Sequence, residues 1–178
     1  MISANSQNKL PYHQIPEAPK EFTAGSVVSR MIDGLGFRYY WATEGLRAED
    51  LAFKPSKEAR TTEETIDHIL GLSQVILNSS LGVANEKPQP KMTYEEKRKK
   101  TLNNLKKASE IFLKAEDLSK FSIVFKRGEN TTEFPFWNQI NGPISDALWH
   151  VGQVVSFRRS SGNPFPKGVS VLRGVRRQ

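Results

Sequence analysis

Three histidines, His13, His68 and His150, and no cysteine set the chemistry open to this chain. Without cysteine there is no thiol nucleophile, no thiolate metal site and no disulfide framework. Acid–base or metal chemistry therefore falls to imidazoles and carboxylates. Asp146 and His150 stand four residues apart. On a helix such residues project side by side, which suits two ligands on one ion. Imidazole with carboxylate is a common ligand set for first-row divalent metals, and three protein ligands leave positions open for water or substrate. The plainer reading is a local ion pair at Asp146 and His150, a hydrogen-bonded core histidine at 68 and a surface histidine at 13.

The elements that must position these side chains follow from apolar periodicity. Val28, Met31, Ile32, Leu35, Tyr39, Ala42 and Leu46 recur at helical spacing, so a first helix is expected over about 24–46. Gly34 and Gly36 weaken it, which points to close packing or a bend. They are no phosphate loop, because no strand precedes them and no third glycine follows in register. Residues 47–60 read as a loop around Pro55, with Leu51 and Phe53 inward. Thr61 or Thr62 caps a second helix to about Ser80, with Glu64 near the third helical position and Ile66, Ile69, Leu70, Ile76 and Leu77 as its apolar arc. After a connector over 82–92, a third helix runs over about 94–115, with Leu102, Leu105, Ile111 and Phe112 inward. Alternating Phe121, Ile123 and Phe125, a turn at 127–130, and alternating Phe134 and Phe136 predict a short hairpin or a pair of extended segments. Pro143 suits the first turn of a fourth helix that stops at Gly162-Asn163-Pro164. Four amphipathic helices with one long connection make an all-α four-helix bundle over 23–163. An extended N-terminal arm over 1–22 and an irregular basic tail over 164–178 flank it.

On the fourth helix, Ile144, Leu148, Val151 and Val155 form one stripe. Asp146, His150, Gln153 and Phe157 form a second one roughly opposite, flanked by Trp149 and Val154. A carboxylate inside such a helix needs a cation or strong donors, because an unpaired buried charge costs several kcal/mol. His68 lies at the edge of the second helix's apolar arc, in reach of the bundle mouth. Glu64, one turn before it, reads either as a capping residue or as a base or orienter for the site; Gln153 reads either as a ligand partner or as a bridge between buried polar groups.

The formal charge is +7, with 26 Lys+Arg against 19 Asp+Glu over 178 residues. No acidic residue follows Asp146, while Arg158, Arg159, Lys167, Arg173, Arg176 and Arg177 all do. The run Lys97-Arg98-Lys99-Lys100 reads as a solvated helix face, with no aromatic interleaving and no nucleic-acid motif, so nucleic acid is the minority reading. Arg158 and Arg159 suit an anionic substrate or plain solubility equally. No apolar run approaches the ~20 residues of a membrane span, and the polar start shows no signal peptide, so the expectation is a cytoplasmic protein. Asn78-Ser79-Ser80 and Asn130-Thr131-Thr132 match the glycosylation acceptor pattern by coincidence of composition.

Two stretches carry a resemblance. Thr62-Glu63-Glu64-Thr65-Ile66-Asp67-His68-Ile69 resembles the first histidine segment of the DinB/YfiT-like superfamily. Asp146-Ala147-Leu148-Trp149-His150-Val151-Gly152-Gln153 resembles its second, whose pattern His-x-x-x-His-x-Gly-Gln is matched in its latter half. The likeness extends over about 24–162 and includes Gly36-Phe37-Arg38-Tyr39-Tyr40-Trp41. It implies a four-helix bundle, often a homodimer, whose three histidines hold a divalent metal such as zinc, nickel or iron. It further implies His68 as first ligand, His150 as third, and Asp146 in place of the middle histidine. The implied activity is transfer of a low-molecular-weight thiol, since this chain has no cysteine of its own, or metal-assisted hydrolysis of a small molecule. The competing expectation is a non-catalytic bundle that dimerises or binds a partner without a working metal site.

Overall fold

A computed structural model describes residues 10–86 and 90–177. Residues 1–9 of the expected arm and 87–89 of the expected connector lie outside that range. Three of the long helices open in the same way. Thr23, Thr61 and Thr93 each accept a hydrogen bond from the backbone N–H three residues on, and the side chains of Ser26, Glu64 and Glu96 accept one from the cap's own N–H. Such a capping box satisfies two otherwise orphaned donors, and the cap alone is worth about 1 kcal/mol. The helices so begun are α1 (Ala24–Thr43), α3 (Thr62–Leu81) and α4 (Tyr94–Leu113). Gly82, in the left-handed region at φ +65°, closes α3.

The expected loop after α1 contains a short helix, α2 (Ala48–Ala52), and α1 itself stops at Thr43 rather than continuing to Leu46. The hairpin is present as antiparallel β1 (Ile123–Arg127) and β2 (Asn130–Phe134). The last long helix begins differently from expectation. A short helix, α5 (Trp137–Gln139), runs into a wide turn over Ile140–Ile144 that is broken at Gly142, and α6 (Ser145–Ser160) follows. Pro143 sits inside that wide turn, where its missing N–H opens the hydrogen-bond ladder. The tail expected to be irregular forms a second small hairpin, β3 (Val169–Ser170) with β4 (Val175–Arg176).

The molecule is mostly helical, with two small antiparallel hairpins. α1 packs along α4, α4 against α3, α3 against α6, and α6 back against α1. Ile32, Leu35, Tyr39, Ile66, Ile69, Leu102, Leu105, Phe112 and Ile144 fill the space between them and are fully buried. The arm lies over α1. Tyr12 packs so closely on Gly36 that any Cβ there would fall 2.4 Å from its ring, which gives that glycine its packing reason. The Tyr12 hydroxyl donates to Asp33 Oδ1 (2.9 Å), which also accepts from Ser109 Oγ (2.7 Å).

Two expectations about charge are corrected here. Arg158 is no surface residue: it is buried, and its Nη1 donates to the Trp41 and Ala42 carbonyls, both at 3.0 Å. Its Nε and Nη2 reach the carbonyl and side chain of Asn163 (2.8 and 3.0 Å), so it satisfies the last carbonyls of α1 and anchors the end of α6. Lys97, expected on an outer face, is buried between Glu63 (2.9 Å) and Asp67 (2.8 Å) of α3. His13 likewise is half-buried, its ring against those of Tyr40 and Trp41. No helix among the described residues is long and apolar enough to cross a membrane.

Candidate metal centre

The side chains singled out on different helices meet. Nε2 of His68 lies 3.1 Å from Oδ2 of Asp146, and Nε2 of His150 lies 3.2 Å from Oδ1 of the same carboxylate. The two imidazoles stand edge to face, with centroids 4.6 Å apart and planes at 89°. One ligand atom from each residue falls within 4.8 Å of the others. α3 supplies His68 and α6 supplies the other two, and both helices are locked locally. The capping box at Thr61 fixes the first turn of α3, while Ile66 and Ile69 seat the flanking turns in the core. On α6 the buried residues are Ala147, Val151, Val154 and Arg158. They turn the intervening Asp146, His150 and Gln153 toward α3. The buried stripe is thus rotated from the expected one, and Trp149 is exposed rather than flanking the site.

Gln153 completes the arrangement. Its Oε1 lies 2.7 Å from Nδ1 of His150. With the amide oxygen facing the ring, which only accepts, Nδ1 carries the proton and Nε2 of a neutral ring presents its lone pair. That lone pair faces a carboxylate oxygen, an acceptor facing an acceptor. Such a contact becomes favourable with a metal ion between the two atoms, or with Nε2 as an N–H donor to the carboxylate when the Gln153 amide is turned over. The side chains of His68 and Asp146 are 34% and 39% exposed and that of His150 is 13% exposed, so the cluster opens to solvent on one side.

Those donors fit a first-row divalent ion. Imidazole nitrogen and carboxylate oxygen are ligand types for such an ion, and one such atom from each residue lies within 4.8 Å of the others. Glu64 stays apart: its carboxylate accepts from the Thr61 N–H at 2.7 Å, and that hydrogen bond holds its acid below the usual carboxylate range. It is occupied as a cap.

Sequence reasoning missed a second polar cluster. Asp50 is fully buried and accepts from Arg47 Nη2 (2.9 Å), Ser161 Oγ (2.6 Å) and Asn163 Nδ2 (2.7 Å). The Arg47 guanidinium and these donors hold its carboxyl far below the usual range. Every bond is internal, so the cluster ties α2 to the end of α6 rather than forming a site. The signal was present only as the polar pair Ser161 and Asn163 beside a stop. Compared with known proteins, the chain matches no family model, no curated protein and no solved structure.

Proposed function

We propose that this chain is a divalent-metal-dependent enzyme on a DinB/YfiT-like four-helix bundle, transferring a low-molecular-weight thiol or hydrolysing a small molecule. The observation that carries the reading is the pair of imidazole Nε2 atoms on opposite oxygens of one carboxylate. When bound, zinc, nickel or iron supplies Lewis acidity that lowers the pKa of a coordinated thiol or water. His68 and His150 hold lone pairs at fixed positions, Asp146 contributes a negative charge between them, and Gln153 sets the tautomer of His150. The open side admits the cosubstrate. With no cysteine in the chain, any thiol arrives from outside. The homodimer and the cytoplasmic location belong to the same proposal.

A second reading has its own observation. Phe22 (96% exposed), Val27 and Trp137 (74% exposed) line a largely apolar cleft of about 700 Å³ at the start of α1, as suits a non-catalytic bundle that binds a partner. Elemental analysis by plasma mass spectrometry separates the two. Untagged protein should carry near-stoichiometric metal, and the double substitution His68→Ala/His150→Ala should lose it. A parent that stays metal-free after dialysis against zinc, nickel, iron and manganese removes the enzyme reading and leaves the binding module.

A further inference from the structure

A groove of about 950 Å³ runs along the outer side of α3, bounded by α4, the segment after α3 and strand β1. Amides line it in a row. Asn104 Nδ2 donates to Gln74 Oε1 (3.3 Å), Gln74 Nε2 to Asn78 Oδ1 (2.8 Å), Asn78 Nδ2 to Asn85 Oδ1 (2.9 Å), and Asn85 Nδ2 to the Val124 carbonyl (2.9 Å). Gln74, Asn78 and Asn85 line the groove, and each keeps a second N–H and a second oxygen lone pair beyond the row. Such a surface matches the alternating donors and acceptors of amide-containing molecules.

The groove is also basic. Lys126 and Arg127 border it at the hairpin side, and the carboxylate among the described residues of its lining, Glu86, lies 3.6 Å from Lys126. These two hairpin cations against that acid leave an excess of positive charge there.

Its other end is Gly71, one helical turn from His68. Glycine is among the costliest residues for a helix interior. Packing does not explain this one, because a Cβ at Gly71 would meet nothing within 4 Å. The open space there leaves room for a molecule to lie against the helix. The rise of ~1.5 Å per residue sets His68 about 15 Å along α3 from Asn78. That is the span of a molecule of about four extended amino-acid units.

We infer that this groove binds a small amide-containing molecule whose carboxylate or phosphate end lies among Lys126 and Arg127 and whose other end passes over Gly71 toward His68. The inference rests on the metal-centre reading only for what happens at that second end; binding in the groove needs no metal.

The test is calorimetric titration of the metal-free full chain with N-succinyl-alanyl-alanine and with N-acetyl-phosphoseryl-alanine amide. The two probes share an amide backbone and differ in the anion. At least one should bind in the millimolar range or tighter. Affinity should fall roughly tenfold or more in Lys126→Ala/Arg127→Ala and in Gly71→Leu. Leucine favours helix over glycine, so Gly71→Leu should melt no lower than the parent, and its loss of binding cannot be a loss of fold. His68→Ala/His150→Ala should bind as the parent does. Preference for one probe identifies the anion as carboxylate or phosphate. No binding of either probe up to about 10 mM, parent-like binding by either groove variant, or loss of binding in the histidine variant overturns the inference. Metal uptake decides the other reading separately: a protein that binds probe but no metal keeps the groove and loses the enzyme.

Discussion

Gln153 Oε1 and His150 Nδ1 stand 2.7 Å apart on successive turns of α6, and this contact leaves Nε2 as the imidazole nitrogen that faces Asp146. The prediction is direct. Gln153→Leu frees the ring to rotate and to change tautomer, and partners of this kind are worth about 10–100-fold in metal affinity. Competition with a chromogenic chelator should show that loss while far-UV circular dichroism stays that of the parent. Unchanged affinity would mean that Gln153 only bridges polar groups on its helix.

Asp146 offers a sharper contrast. Asp146→Asn keeps the volume but removes the charge that both histidines face at 3.1 and 3.2 Å. Metal occupancy should drop well below stoichiometric. Asp146→His restores the three-imidazole set that the family resemblance implies and should bind metal fully, since neutral imidazole is a good ligand for the same ions. If Asp146→Asn retains its metal, the carboxylate is not a ligand.

That His68, Asp146 and His150 come together was legible because each carries its own local signal: an acid and a histidine at helical spacing, and a histidine at the edge of an apolar arc. The start of α3 was legible for the same reason, as the threonine at its cap lies three residues before the glutamate that answers it. Arg158 was not. Its partners, Trp41 and Ala42, are more than a hundred residues away, and no local pattern distinguishes a guanidinium that caps a distant helix from one in water. Lys97 escaped for the same reason, since Glu63 and Asp67 neutralise it from another helix. The break at Gly142 moves the start of α6 to Ser145, past the Pro143 at which local propensity places it. The amide row over the groove joins α4, α3, the segment after it and β1, so it exists only once all four are assembled.

Arg158 should be among the most sensitive positions for stability. Arg158→Met leaves the Trp41 and Ala42 carbonyls and Asn163 without their donor in a dry environment. Removing one side of such a network costs about 3 kcal/mol or more. For a chain of this size that is a drop of roughly 6–12 °C in Tm, read by differential scanning calorimetry. Arg158→Lys should recover only part of it, because one ammonium cannot reach both carbonyls and Asn163 in the same planes. A loss within experimental error would show that water replaces the guanidinium.

Acid should loosen the joint between α2 and α6 before it unfolds the core. The folded-state pKa of Asp50 lies far below its unfolded value, chiefly through Arg47. A depressed carboxylate contributes stability that is complete above the unfolded pKa, near 4, and is lost as pH falls toward the folded one. Urea midpoints measured from pH 6 down to pH 2 should therefore fall more steeply for the parent than for Asp50→Asn. Parallel curves would mean that Asp50 is paired equally in the unfolded chain.

Alkali acts with the opposite sign, through the tyrosines. Burial pushes the Tyr94 phenol up to about 12, and burial drives Tyr12 and Tyr39 higher still. An acid whose folded pKa exceeds its unfolded value, near 10, binds its proton more tightly in the native state. Its stabilisation is then complete below pH ~10 and is lost as pH rises through 10 to 12. Each such tyrosine adds a slope of roughly 1.4 kcal/mol per pH unit while only its unfolded form ionises. Stability should hold from neutral pH to about 10 and then fall steeply, and tyrosinate absorbance should rise together with the loss of helix rather than before it. Tyr94→Phe removes one of these groups, along with its hydrogen bond to the Thr43 carbonyl. It should lower stability at neutral pH and make the alkaline fall shallower. Tyrosinate absorbance rising from all three groups while the helices stay intact would show that these phenols ionise in the folded protein, and that burial does not hold their protons.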